Sequence, residues 1–101
     1  MNVNFNVPFV DLMGKPIYEN GKEAIVADRV ASLLFNLSAL NKEPLKAEQK
    51  YKAYKLCTRI TGKPENVELS AEDAAFIKEV CSEAFSAGAY GQVVDLIENN
   101  K

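Results

Sequence analysis

The sequence predicts an α+β fold, an N-terminal antiparallel β-hairpin or meander packed on three to four α-helices, and three observations carry that prediction. Residues 2–9 alternate polar and apolar without a break, Ala24 to Leu40 repeats apolar side chains every three or four positions, and two later segments repeat that helical spacing. A chain of 101 residues with 48% apolar and 26% charged side chains has the balance of a globular protein. It reads as a single domain over 1–101, with a β-hairpin region at 1–25 and a helical region at 26–101.

The first segment, Asn2 to Phe9, puts Val3, Phe5, Val7 and Phe9 on one face and Asn2, Asn4 and Asn6 on the other. A period of two is the mark of a half-buried strand, and Pro8, which has no amide proton, places it at an edge or before a bend. Asp11 to Pro16 follows as a turn in which Gly14 is free to take positive φ. Asn20-Gly21 between short apolar pieces is the signature of a type I′ hairpin, returning through Glu23, Ala24 and Ile25.

Val26, Val30, Leu33, Leu34, Leu37 and Leu40 form one stripe of a central helix that starts near Val26 to Asp28 and runs to Leu40. Lys42-Glu43-Pro44 closes it, and Pro44 is suited to open the next helix. That second helix, Leu45 to Thr61, turns Gln49, Ala53, Leu56, Cys57 and Ile60 inward, with Gly62 as a left-handed stop. Val67 and Leu69 dip into the core from a loop. Ser70-Ala-Glu-Asp73 is a capping-box start for a third helix, whose buried stripe is Ala74, Ile77, Val80, Cys81, Ala84 and Phe85. Ser86-Ala-Gly88 breaks it, and Tyr90 to Glu98 forms a last helix before Asn99-Asn-Lys ends in solvent.

The residues that carry chemistry are few. Histidine is absent, so a nucleophile–histidine pair has no base. Cys57 and Cys81 lie on helical apolar stripes without a CxxC, which reads as two buried free thiols and gives no metal site. The carboxylate pairs Glu72/Asp73, Glu79/Glu83 and Asp95/Glu98 fall on polar faces, where nothing raises a carboxyl toward acid–base work. No phosphate-binding glycine loop is present. The expectation is a protein that is not an enzyme, with no cofactor and no metal. No uncharged run reaches the roughly eighteen residues of a membrane span, because Asp28 and Arg29 interrupt the best one. No leader pattern opens the chain, so a soluble cytoplasmic protein without a membrane partner is expected.

Charge is segregated. Residues 1–44 hold four basic and five acidic groups, 45–63 hold six and one, and 64–101 hold two and eight, for net charges of −1, +5 and −6. Lys52, Lys55, Arg59 and Lys63 line one flank of the second helix with Tyr51 and Tyr54 nearby, a candidate for phosphate contacts. Large apolar side chains outnumber what the inner stripes need. Phe9, Met13, Tyr18, Phe35, Phe76 and Tyr90 are the candidate protein interface, with Leu12 among the surplus.

Taken together, the D-L-x-G-K-P-I turn from Asp11 to Ile17, the Leu33-Leu34 helix, the E-L-S-x-E-D start from Glu68 to Asp73, Phe76 to Lys78, and the G-Q-x-x-D-L-I-E close from Gly91 to Glu98 resemble small uncharacterised proteins of tailed bacteriophages and prophages. The resemblance implies a phage setting, hence the cytoplasm of a bacterial host, and supplies no catalytic residues. The expected function is protein–protein interaction, in virion assembly or diversion of a host protein, with a second copy in a dimer as one candidate partner. The alternative is a nucleic-acid-binding accessory protein using the basic flank.

Overall fold

Residues 1–99 are described by a computed structural model; the expectation for Asn100 and Lys101 lies outside them. The alternating N-terminal segment buries Val3, Phe5 and Phe9 and leaves Asn2, Asn4 and Asn6 at the surface. Only its first part, β1 (Asn2–Val3), enters a ladder, and its partner is not the neighbouring hairpin. It pairs antiparallel with β6 (Val67–Glu68), Val3 opposite Val67, extended by bonds from Leu69 N to Met1 O (2.8 Å) and Phe5 N to Pro64 O (2.8 Å). On the opposite side, the carbonyls of Phe5 and Val7 accept from Ala27 N and Val26 N, both at 2.8 Å. The segment is therefore threaded through the molecule with backbone partners on both sides, and its end joins the hairpin as an antiparallel meander: Phe9 N donates to Ala24 O and Ile17 N to Phe9 O, both at 2.8 Å, beside a Pro8–Ile25 bridge.

Those two bonds explain how α1 (Val26–Phe35) begins. Its N-cap, Ile25, offers no side-chain acceptor, and a helix start leaves amides without intrahelical partners. Val7 and Phe5 supply the acceptors from across the chain. Between these points, β2 (Tyr18–Glu19) and β3 (Lys22–Glu23) form the Asn-Gly hairpin, with Asn20 at φ 52° and Gly21 at φ 79° as a type I′ turn requires.

The central helix is shorter than its apolar stripe. It ends at Phe35, and the chain turns back as a second hairpin, β4 (Ala39–Leu40) against β5 (Glu43–Pro44). Leu40 is still buried, but from a strand, and Leu37 is half-buried. The two spacings coincide at these positions, so the stripe could not tell helix from hairpin. Pro44 accordingly lies in a strand. Helix α2 (Ala47–Gly62) starts later than expected, with the Gln49 side chain accepting from Lys46 N at 2.9 Å. Gly62 is the last helical residue and does not turn left-handed; Lys63 follows at φ −149°.

Helix α3 (Ala71–Ala84) opens as its sequence implies. Asp73 N donates to Ser70 Oγ (3.0 Å) and Ser70 N to Asp73 Oδ2 (3.1 Å), closing the box even with the shorter aspartate. The chain breaks at Phe85, and Ser86 caps α4 (Ala87–Glu98), which starts one turn earlier than Tyr90. Helix α1 packs along α2 and also meets α3, which in turn packs against α4. Val30, Leu34, Leu56, Ile60, Ile77, Val80, Val93 and Ile97 join Val3, Phe5 and Val67 in one continuous core. The result is an α+β fold of four helices and short antiparallel strand pairs.

Candidate functional site

The most exposed large apolar side chains sit on the first turn after the threaded segment. Leu12 is fully exposed and Met13 is 79% exposed, with Ile17 and Tyr18 exposed beside them. Exposure here does not come from a loose loop. Asp11 Oδ1 accepts from Met13 N (2.9 Å) and Lys15 N (3.0 Å), Asp11 N donates to Lys15 O (2.8 Å), and Gly14 N donates to Asp11 O (2.9 Å). Gly14 closes the loop at φ 81°, where a side chain is disfavoured. The Asp11 carboxylate organises the turn, and the turn holds Leu12 and Met13 out in water.

A groove of about 420 Å³ runs from this tip to the start of α4, with Phe9, Ile17, Ala24, Phe85 and Ala89 among its apolar walls. The ring of Phe9 meets Phe85 edge-on, centroids 6.0 Å apart. Gln92 pins the two walls together. Its amide accepts from Val10 N (2.8 Å) and donates to Val10 O (3.0 Å), as a neighbouring strand would, and also donates to Gly88 O (3.0 Å). Arg29 and Glu19, an ion pair, form part of the polar rim.

Of the six interface candidates, Met13, Tyr18 and Phe35 are exposed, although Phe35 lies on the last turn of α1, apart from the tip. Phe9 and Phe76 are corrections: both are core. Phe9 is covered by Phe85, and Phe76 is roofed by the Lys52 ammonium at 5.3 Å from its ring. Tyr90 is half-buried against the core. The sequence does not single out Ile17 and Gln92 as site residues, because their roles arise only where the hairpin and α4 meet.

The basic flank is partly consumed by the fold. Arg59 donates to Asp73 Oδ2 (3.1 Å) and to the Glu68 carbonyl (3.0 Å), and Lys52 lies over Phe76. Lys55 and Lys63 remain exposed, Lys55 with its ammonium 5.6 Å from the Tyr51 ring. Burial works to raise the Asp73 carboxyl, but the Ser70 bonds and the Arg59 guanidinium outweigh it and hold Asp73 below its ordinary 3.8.

The other carboxylates also have structural partners. Glu79 and Glu83 both bond Asn41, and Glu98 pairs with Lys78 at 2.9 Å. Cys57 and Cys81 are free and buried, and burial pushes both thiols up, Cys81 to about 12, so neither favours the thiolate. Among the described residues no group of three or more cysteine and carboxylate side chains is placed to hold a metal, and no helix is long and apolar enough to cross a membrane. Comparison with family models, curated proteins and solved structures finds no match to this chain.

Proposed function

We propose that this chain is a small non-enzymatic docking protein of a tailed bacteriophage or prophage, acting in the bacterial cytoplasm by seating its Leu12–Met13 tip in an apolar cleft of another protein. The partner is a virion component during assembly or a host protein being diverted. The phage setting rests on the resemblance of the Asp11–Ile17 turn, the Glu68–Asp73 helix start and the Gly91–Glu98 close to proteins of that kind. The docking mode rests on one observation, the exposure of Leu12 and Met13 on a turn held by four hydrogen bonds.

Burying a leucine or methionine side chain is worth about 1.5–3 kcal/mol, and the folded chain leaves that gain unclaimed at both positions. Because the turn is already ordered, a partner would gain the burial without the cost of ordering the loop. Exposed apolar side chains on a mobile loop would lack this second advantage.

The test is a Leu12→Ser, Met13→Ser double variant. Its thermal midpoint is expected to match the parent within the roughly 0.5 kcal/mol typical of surface changes. In affinity capture from phage-infected cells, the parent is expected to retain a partner that the variant loses. A partner retained equally by both proteins would remove the tip from the mechanism.

A further inference from the structure

We propose that the outward face of α2 binds single-stranded nucleic acid, with Tyr51 and Tyr54 as a stacking platform and Lys46, Lys50 and Lys55 as phosphate contacts. This surface is separate from the Leu12–Met13 tip. It is also distinct from the flank of Arg59 and Lys52, whose charges serve Asp73 and Phe76.

The buried stripe of α2 is Ala53, Leu56, Cys57 and Ile60. At 100° per residue, Tyr51 projects from the side opposite that stripe and Tyr54 from its flank, where packing asks for nothing aromatic. They are 63% and 50% exposed. Their rings lie 26° from parallel with centroids 6.4 Å apart. The two rings thus form one continuous aromatic surface, against whose outer face a planar base can stack. Lys55 holds its ammonium 5.6 Å from the Tyr51 ring, which sets a positive charge beside the aromatic surface. Lys50 lies on the other side of the tyrosine pair and Lys46 precedes the helix, both exposed.

Charge complementarity selects a polyanion. Residues 45–63 carry six basic groups and the single carboxylate of Glu48 in a chain whose net charge is −2. Paired aromatic faces select bases over acidic peptide side chains, because every base offers a π-surface and a carboxylate does not. The exposed cations beside the rings are lysines, which neutralise phosphates as point charges and lack the planar fork that reads base edges. Binding is therefore tolerant of sequence. It favours unpaired strands, since a duplex hides the base faces that the tyrosines address.

Three lysine contacts predict a slope of about −2 in log affinity against log salt for a single strand. Fluorescence anisotropy with a labelled mixed-sequence single strand is thus expected to show about a 20-fold loss of affinity between about 50 and about 200 mM salt. Tyr51→Ala, Tyr54→Ala should weaken binding about tenfold or more, while Tyr51→Phe, Tyr54→Phe retains it. Lys50→Gln, Lys55→Gln should flatten the salt slope by about 1.4. Circular dichroism and thermal unfolding confirm that each variant folds, as exposed positions allow. Absence of binding at low salt overturns the proposal, as does a tyrosine-to-alanine pair that binds like the parent. Equal affinity for a duplex of the same sequence or for a polyglutamate peptide also overturns it, the latter assigning the face to acidic partners.

Discussion

Asn20 and Gly21 turn the first hairpin at φ 52° and 79°, and Asn41 and Lys42 turn the second at φ 55° and 64°. The two turns share a backbone shape and differ in what sustains it. Glycine enters the left-handed region without steric penalty, so the first hairpin is specified where it stands. A lysine there carries roughly 1–2 kcal/mol of unfavourable backbone conformation, so the second turn needs help from outside. Helix α3 provides it. Asn41 N donates to the Glu83 carboxylate (2.9 and 3.1 Å), and Asn41 Nδ2 donates to Glu79 Oε2 (3.0 Å). Leu40 and Leu45, buried on either side of the turn, fasten the same hairpin from below. Every strand residue of the first hairpin is exposed. One turn is thus local chemistry, and the other is a tertiary contact in the form of a turn.

The difference can be broken at its strongest point by Leu40→Ala, which should cost about 2–5 kcal/mol as a buried leucine truncation. Tyr18→Ala, which removes the large exposed side chain of the first hairpin, should stay within about 0.5 kcal/mol. Urea unfolding of the two variants measures both. Equal losses would show that the first hairpin is also fastened by the core.

Gly21→Ala is expected to cost about 1–2 kcal/mol. Nothing lies within 4 Å of the added methyl group, so the whole effect is backbone conformation. A thermal midpoint unchanged by this substitution would refute the assignment of the first turn to glycine.

The smallest effects sharpen the contrast. Glu83→Ala should destabilise by about 1 kcal/mol through loss of an exposed charge-assisted bond. Lys42→Gly should stabilise by about 0.5–1 kcal/mol by relieving the left-handed lysine. Combining them should return stability close to that of the parent. A glycine at position 42 that destabilises would mean that the lysine side chain has a role no contact displays.

The parts of the fold legible from the residues are those whose physics is local. The period of two in Val3, Phe5, Val7 and Phe9, the Asn20-Gly21 turn, the Ser70–Asp73 box and the break at Ser86 each depend on neighbours within a few positions. The end of α1 was not legible, because Leu37 and Leu40 satisfy a helical stripe and a returning hairpin equally well. What distinguishes them lies elsewhere in the chain: Leu40 and Leu45 are buried in the core, and Asn41 is bonded by Glu79 and Glu83, about forty residues downstream. The pairing of Val3 with Val67 was hidden for the same reason.

The candidate site divides along the same line. Met13 and Tyr18 could be singled out as surplus apolar residues near a turn, and they are exposed. Phe9 and Phe76 looked equally surplus, yet they are core because Phe85 and Lys52 arrive from other segments to cover them. Burial of a given side chain is a property of what packs over it, and composition records only that such a side chain exists.

By itself, then, the sequence determined the helix and turn signals, the absence of histidine chemistry, and the charge segregation that leaves α2 basic and the C-terminal part acidic. Tertiary structure alone decided where the central helix stops, which of the surplus aromatics meet water, and that Gln92 closes the groove behind the Leu12–Met13 tip. The physical reason is range. Capping, glycine freedom and amphipathic period act over one or two turns of chain, whereas burial and the bonds that rescue an unfavourable turn require partners that only folding brings within reach.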